Sequence, residues 1–179
     1  MCRDDPTRPD STLTSAQCAA LERAAVDASR WFRAQEEEPE RAGGAADERA
    51  RPSVLLAGAD GDVARRAAQQ LARKLGRDLY RVNVGSLVSK YMTETEKNLG
   101  RALETAERTG AVLLFDESDA LFGKRTEVRG DSDRYASVDI NYLEQRLAHF
   151  HGLAILACRR PLRDLGSAAQ RFGCVIELE

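Results

Sequence analysis

Lysine is scarce in this sequence, and it lacks metal-ligand cysteine spacing, long apolar runs and a dominant charge. The lysines are Lys74, Lys90, Lys97 and Lys124, so arginine carries nearly all the positive charge. A formal net charge of -2 leaves no global basic field. Composition therefore gives no ground for nucleic acid or an anionic membrane as partner. The four cysteines, Cys2, Cys18, Cys158 and Cys174, form no CxxC pair and no metal-ligand spacing. Free thiols in a reducing cytoplasm are the expectation. The longest apolar runs, near 111–115 and 153–158, are far too short to span a bilayer but suit buried strands. The opening MCRDDPTRPD is polar and acidic, unlike a signal peptide. No internal repeat is visible. What is present is 179 residues, 42% of them hydrophobic, the size and apolar content of one domain.

Along the chain, residues 1–11 read as a disordered tail and 12–36 as an N-terminal helix. Thr14-Ser15-Ala16-Gln17 has the form of a capping box, and Leu21, Ala25, Ala28 and Phe32 fall on one face, with Trp31 beside them. Residues 37–51 have no apolar period and read as a solvated linker. From 52 to 179 short apolar runs alternate with helical periods. Strands are predicted at Val54–Ala57, Leu79–Val84, Ala111–Phe115, Leu153–Ala157 and Cys174–Leu178. Helices are predicted around Val63–Leu75, closed by Gly76, from Thr93 to Gly110, and through Ile140, Leu143, Leu147 and Phe150. A polar loop fills about 123–136.

This alternation predicts an α/β fold: a five-stranded parallel sheet flanked by helices, its ligand site at the carboxyl ends of the strands. Two segments lie there, the turn after the first strand and Asp116-Glu117 after the third.

The stretches VSKYMTETEKNL (88–99), AVLLFDESDALFGKRTEV (111–128), DRYASVDINYLEQR (133–146) and GLAILA (152–157) carry a family likeness. On them the segment from Ser53 to Glu179 resembles the large subdomain of AAA+ P-loop ATPases, and is most similar to those accompanying phage-tail-like contractile injection systems. The resemblance implies a phosphate loop of the form GPxGTGKT. In its place stands GADGDVAR. Gly58 and Gly61 are kept; the third glycine is Val63, the lysine is Ala64 and the hydroxyl residue is Arg65. The glycine lets backbone amides wrap the phosphates, the lysine neutralises the β- and γ-phosphates, and the hydroxyl ligates Mg²⁺. Asp60 and Asp62 would face a polyanion. One such charge pair at ~5 Å and an effective dielectric of ~20 opposes binding by about 3 kcal/mol. Loss of the lysine's charge-assisted contacts removes about 1.5–3 kcal/mol more. Arg65 and Arg66 are candidate substitutes for the missing charge.

The resemblance also implies that Asp116 would hold Mg²⁺ through water and Glu117 would polarise the attacking water; both are present. Arg159 stands at the sensor position after the fourth strand, where the family carries a polar residue. Gln170-Arg171 replaces an Arg-Arg pair, leaving Arg171 as the candidate arginine finger. Lys90-Tyr91-Met92 matches the central-pore loop of a hexameric ring, with Thr93 in place of the expected glycine. The sequence ends at Glu179, before the helical lid that the resemblance leads one to expect, which counts against a ring.

Two functions stay open at this point. One is a non-hydrolysing AAA+-like binding, assembly or regulatory module in the cytoplasm, with a protein or an AAA+ paralogue as partner and no cofactor. The other is a weak or conditional ATPase that binds ATP and Mg²⁺ through Asp116, Glu117 and a rescuing arginine.

Overall fold

The computed structural model describes residues 13–37, 52–58, 60–87, 92–122 and 140–178. The first helix, α1 (Ser15–Glu37), starts at the anticipated capping box. Gln17 Oε1 accepts the Thr14 N–H at 2.8 Å, and the Gln17 N–H donates to Thr14 Oγ1 at 3.3 Å. Leu21, Ala24, Ala25 and Ala28 are buried along one stripe. Phe32, on the same stripe, lies under the Arg77 guanidinium, 3.8 Å from its ring centroid.

The strands are β1 (Ser53–Ala57), β2 (Leu79–Asn83), β3 (Val112–Asp116), β4 (Ala154–Cys158) and β5 (Cys174–Glu177). They form a five-stranded sheet in the order β2-β3-β4-β1-β5. All four neighbouring pairs are parallel, with Leu55 opposite Leu156 and Asn83 opposite Asp116. A parallel sheet is buried on both faces, and the strands show it by strict alternation. Val54, Leu56, Val112, Leu114, Ile155, Ala157 and Ile176 point to the side covered by α1 and by α2 (Gly61–Lys74). Leu55, Ala57, Leu113, Phe115, Ala154 and Leu156 point to the other, against α4 (Met92–Thr109) and α5 (Ile140–Leu147).

Helices α2 and α4 both end as anticipated. The Arg77 N–H reaches back to Ala72 O and the Gly76 N–H to Arg73 O, each at 3.0 Å; Ala111 and Gly110 repeat the pattern on Ala106 and Glu107. Other boundaries differ from the sequence expectation. Strand β2 stops at Asn83, and Val84 opens a short helix, α3 (Val84–Leu87). The cause is local: Asn83 Oδ1 accepts the Gly85 N–H and Asn83 O accepts the Ser86 hydroxyl, so the backbone turns. Short 3₁₀ turns at Ser118–Phe122, Leu162–Asp164 and Gly166–Arg171 were not anticipated. Among the described residues no helix is long and apolar enough to cross a membrane.

Candidate functional site

The carboxyl ends of β1, β3 and β4 converge on the N-terminus of α2. Strand β1 leaves the sheet at Gly58, whose N–H lies 3.1 Å from Cys158 O and 2.9 Å from Arg160 O. Asp60 follows in extended conformation and caps α2. Its Oδ1 accepts the Asp62 N–H at 3.0 Å and the Val63 N–H at 3.1 Å. These contacts, first from Val63 and then from Asp62, hold the Asp60 carboxyl below its ordinary pKa, helped by the positive charges of Arg66 and Arg159. First-turn amides are the donors that a helix N-terminus offers to an anion, and here a side chain of the same chain takes two of them.

This corrects two expectations. Helix α2 begins at Gly61, two residues before the expected Val63, and the Asp60 side chain takes two of its first-turn amides. Asp60 and Asp62 are not bare charges. Asp60 is a cap, and Asp62 Oδ1 lies 3.1 Å from Arg65 Nη1 one turn on. Arg65 is thereby engaged, whereas Arg66 is exposed and acts on Asp60 through its charge. Ala64 is buried against the sheet.

Asp116 ends β3 with only 2% of its surface exposed. Its Oδ2 sits 2.7 Å from Arg81 Nε, and its Oδ1 accepts the Glu117 N–H at 2.9 Å. Glu117 has a φ of 56°, a left-handed backbone rarely adopted away from glycine. Its side chain accepts Asn83 Nδ2 at 2.7 Å. Beyond it, Ser118 Oγ donates to Ala157 O at 2.7 Å, and Asp119 Oδ1 accepts the Arg159 N–H at 3.0 Å. The exits of β3 and β4 are thus stitched together. Cys158 is buried beside them; desolvation first, then the Asp119 charge, pushes its thiol up to about 11, so it stays protonated and unreactive.

Gly61, Ala64, Asp116, Glu117, Cys158 and Arg159 enclose a narrow cleft with room for about one water molecule. The structure therefore brings together the kept glycine, the lysine position, the carboxylate pair and the sensor position. Arg171 is held elsewhere: its Nη1 donates to Glu144 Oε2 of α5 at 2.7 Å. Lys90 and Tyr91 lie outside the described residues, and Met92 opens α4 with its side chain outside them. Arg81, Asn83 and Asp119 were missed. A signal for the first two exists in LYRVN, where polar residues two apart share one face of a strand.

An all-parallel sheet with a strand-to-helix turn and an acidic pair at its carboxyl edge defines an α/β domain of the P-loop NTPase type. The model of the family described as "AAA: ATPase family associated with various cellular activities (AAA)" matches residues 64–179. The chain belongs to that family. Among solved structures it is similar to a chain in the E. coli MS115-1 HORMA:CdnC:Trip13 complex. The identity is 18% and the TM-score 0.60, over 94% of this chain and 64% of that one. At that identity the likeness is one of fold, and this chain spans under two thirds of its neighbour's length. The fold is widespread, matching 437 solved chains, so it does not by itself select a function.

Proposed function

We propose that this chain is a non-hydrolysing AAA-type module that acts by binding, assembly or regulation, its nucleotide site filled by its own side chains. The observation that carries this reading is the Asp60 carboxylate seated on the Asp62 and Val63 amides. An Mg²⁺-bound triphosphate fits the residues present poorly. Two of the amides are taken, Ala64 supplies no ammonium, Arg65 is tied to Asp62, and Asp116 is paired with Arg81. The family match begins at Ala64, so the likeness lies downstream of Gly58 and Gly61.

A protein, or an AAA+ paralogue, is the proposed partner, in the setting of a phage-tail-like contractile injection system that the sequence resemblance implies. The similar solved chain belongs to a complex named for HORMA, CdnC and Trip13, which agrees with a protein partner. Val26, at 49%, is the one large hydrophobic residue exposed among the described residues, so a partner meeting this surface would meet mainly polar groups. Arg171 enters the proposal as an intrachain contact of Glu144. Lys90, Tyr91 and Met92 keep the pore-loop role that the resemblance gives them, as a polypeptide contact.

A second reading, a weak or conditional ATP-binding ATPase, is favoured by the retained Asp116-Glu117 pair at the β3 exit. Thermal melting of the purified protein with Mg-ATP separates the two, since a ligand of the native state raises its melting temperature. The binding-module reading expects no shift at ATP up to about 5 mM. At that concentration a site with a Kd of about 0.05 mM would add about 2.7 kcal/mol. A concentration-dependent rise, reproduced by a non-hydrolysable ATP analogue and absent with Mg²⁺ alone, would overturn it in favour of the second.

A further inference from the structure

We infer that Arg81 is the resident cation of Asp116, so that the acidic end of β3 works as a clamp between β2 and β3 and takes no divalent ion. A carboxylate with 2% of its surface exposed has almost no water to meet its oxygens, so protein groups must bond them. Asp116 has two such groups. Arg81 Nε holds Oδ2 at 2.7 Å and the Glu117 N–H holds Oδ1 at 2.9 Å, so each oxygen already carries a hydrogen bond. Mg²⁺ keeps several waters of a near-octahedral shell, so it would meet Asp116 directly at about 2.0–2.1 Å or through one of those waters. Direct binding at Oδ2 would displace the guanidinium, and either approach sets a second positive charge against Arg81. Arginine does not deprotonate in any working pH range, so the competitor is permanent.

The register explains why Arg81 is in place. Asn83 lies opposite Asp116 across the parallel pair, and Arg81 is two residues earlier on the same face. Its side chain, 43% exposed, follows the strand to the carboxylate. One residue on, Asn83 Nδ2 bonds Glu117 Oε2 at 2.7 Å, a second rung between the same two strands. Strand β2 is an edge of the sheet, so these rungs fix a strand with a neighbour on one side only. Among the described residues, no group of three or more His, Cys, Asp or Glu converges as a metal site. The clamp is independent of the Asp60 cap, and a chain that bound ATP without metal would leave it intact.

The test uses the whole protein in two measurements. Manganese binding is followed by electron paramagnetic resonance, and thermal melting is recorded with and without Mg²⁺. Wild type should leave Mn²⁺ free at about 1 mM and melt at one temperature in either buffer. Arg81→Met should melt about 4–8 °C lower, the loss expected for breaking a half-exposed pair around a buried carboxylate in a chain of this size. Arg81→Lys should fall between the two, and it supplies the comparison if the methionine variant does not fold. The Arg81→Met, Asp116→Asn double variant should lose less than the sum of the two single-variant losses. Stoichiometric Mn²⁺ binding by wild type that vanishes in Asp116→Asn would overturn the inference. So would wild-type melting of Arg81→Met or Arg81→Lys.

Discussion

Replacing Gln17 with alanine should loosen the first helix from the last strand. Gln17 is 8% exposed and uses both ends of its amide. Oε1 accepts the Thr14 N–H at 2.8 Å, and Nε2 donates to Glu177 O on β5 at 2.9 Å. Alanine removes both bonds and leaves Glu177 O without that donor. Neutral hydrogen bonds contribute about 0.5–1.5 kcal/mol each, so the expected loss is about 1–3 kcal/mol. At roughly 2–4 °C per kcal/mol for a chain of this size, melting should fall by about 2–12 °C. Gln17→Glu divides the effect, because it keeps the acceptor for Thr14 but has no donor for Glu177. It should melt between wild type and Gln17→Ala, unless the new charge facing a carbonyl lowers it further. Urea unfolding checks the free energy directly. A Gln17→Ala unfolding free energy within about 0.5 kcal/mol of wild type, at unchanged slope, would refute the clasp.

Two other substitutions probe the β1 exit. Gly58 has a φ of 85°, and a Cβ there would stand 3.0 Å from the backbone oxygen of Leu178. Gly58→Ala should therefore destabilise by about 1–3 kcal/mol in urea unfolding, from strain and crowding together. Asp60 has its pKa lowered from 3.8, so its ionised form favours the native state. That contribution is complete above 3.8 and is lost as pH falls through the lower native value. Asp60→Asn should accordingly flatten the acid limb of a stability profile recorded below about pH 4. An unchanged acid limb would remove the cap from the explanation.

The parts of the fold written in local pattern were legible. Thr14 and Gln17 announced the start of α1, Gly76 and Gly110 the ends of α2 and α4, and the apolar runs of β1, β3 and β4 a doubly covered sheet. What stayed hidden depends on contacts distant in sequence or on competing local signals. Asp60-Gly61-Asp62-Val63 sits where a phosphate loop is expected, yet an aspartate before a helical run is equally a cap, and the cap is what forms. Arg81 meets Asp116 across 35 residues, a pairing fixed only by the register of β2 on β3. The left-handed turn at Glu117 has no signature in a glutamate, because it is imposed by the contacts on either side of it. Arg171 reads as an outward-reaching residue until α5 brings Glu144 to it.

The contact between Gln17 and Glu177 spans 160 positions of the chain, and this governs when the molecule can finish forming. A ribosome adding about 5–20 residues per second makes α1 first and the strand it rests on roughly 8–32 seconds later. Throughout that interval Leu21, Ala24, Ala25 and Ala28 have no β5 to lie beside. Strand β1 waits as well, since both its neighbours, β4 and β5, are made last. The half-made chain thus carries a sticky helix and an unpaired central strand together, the kind of species that chaperones hold.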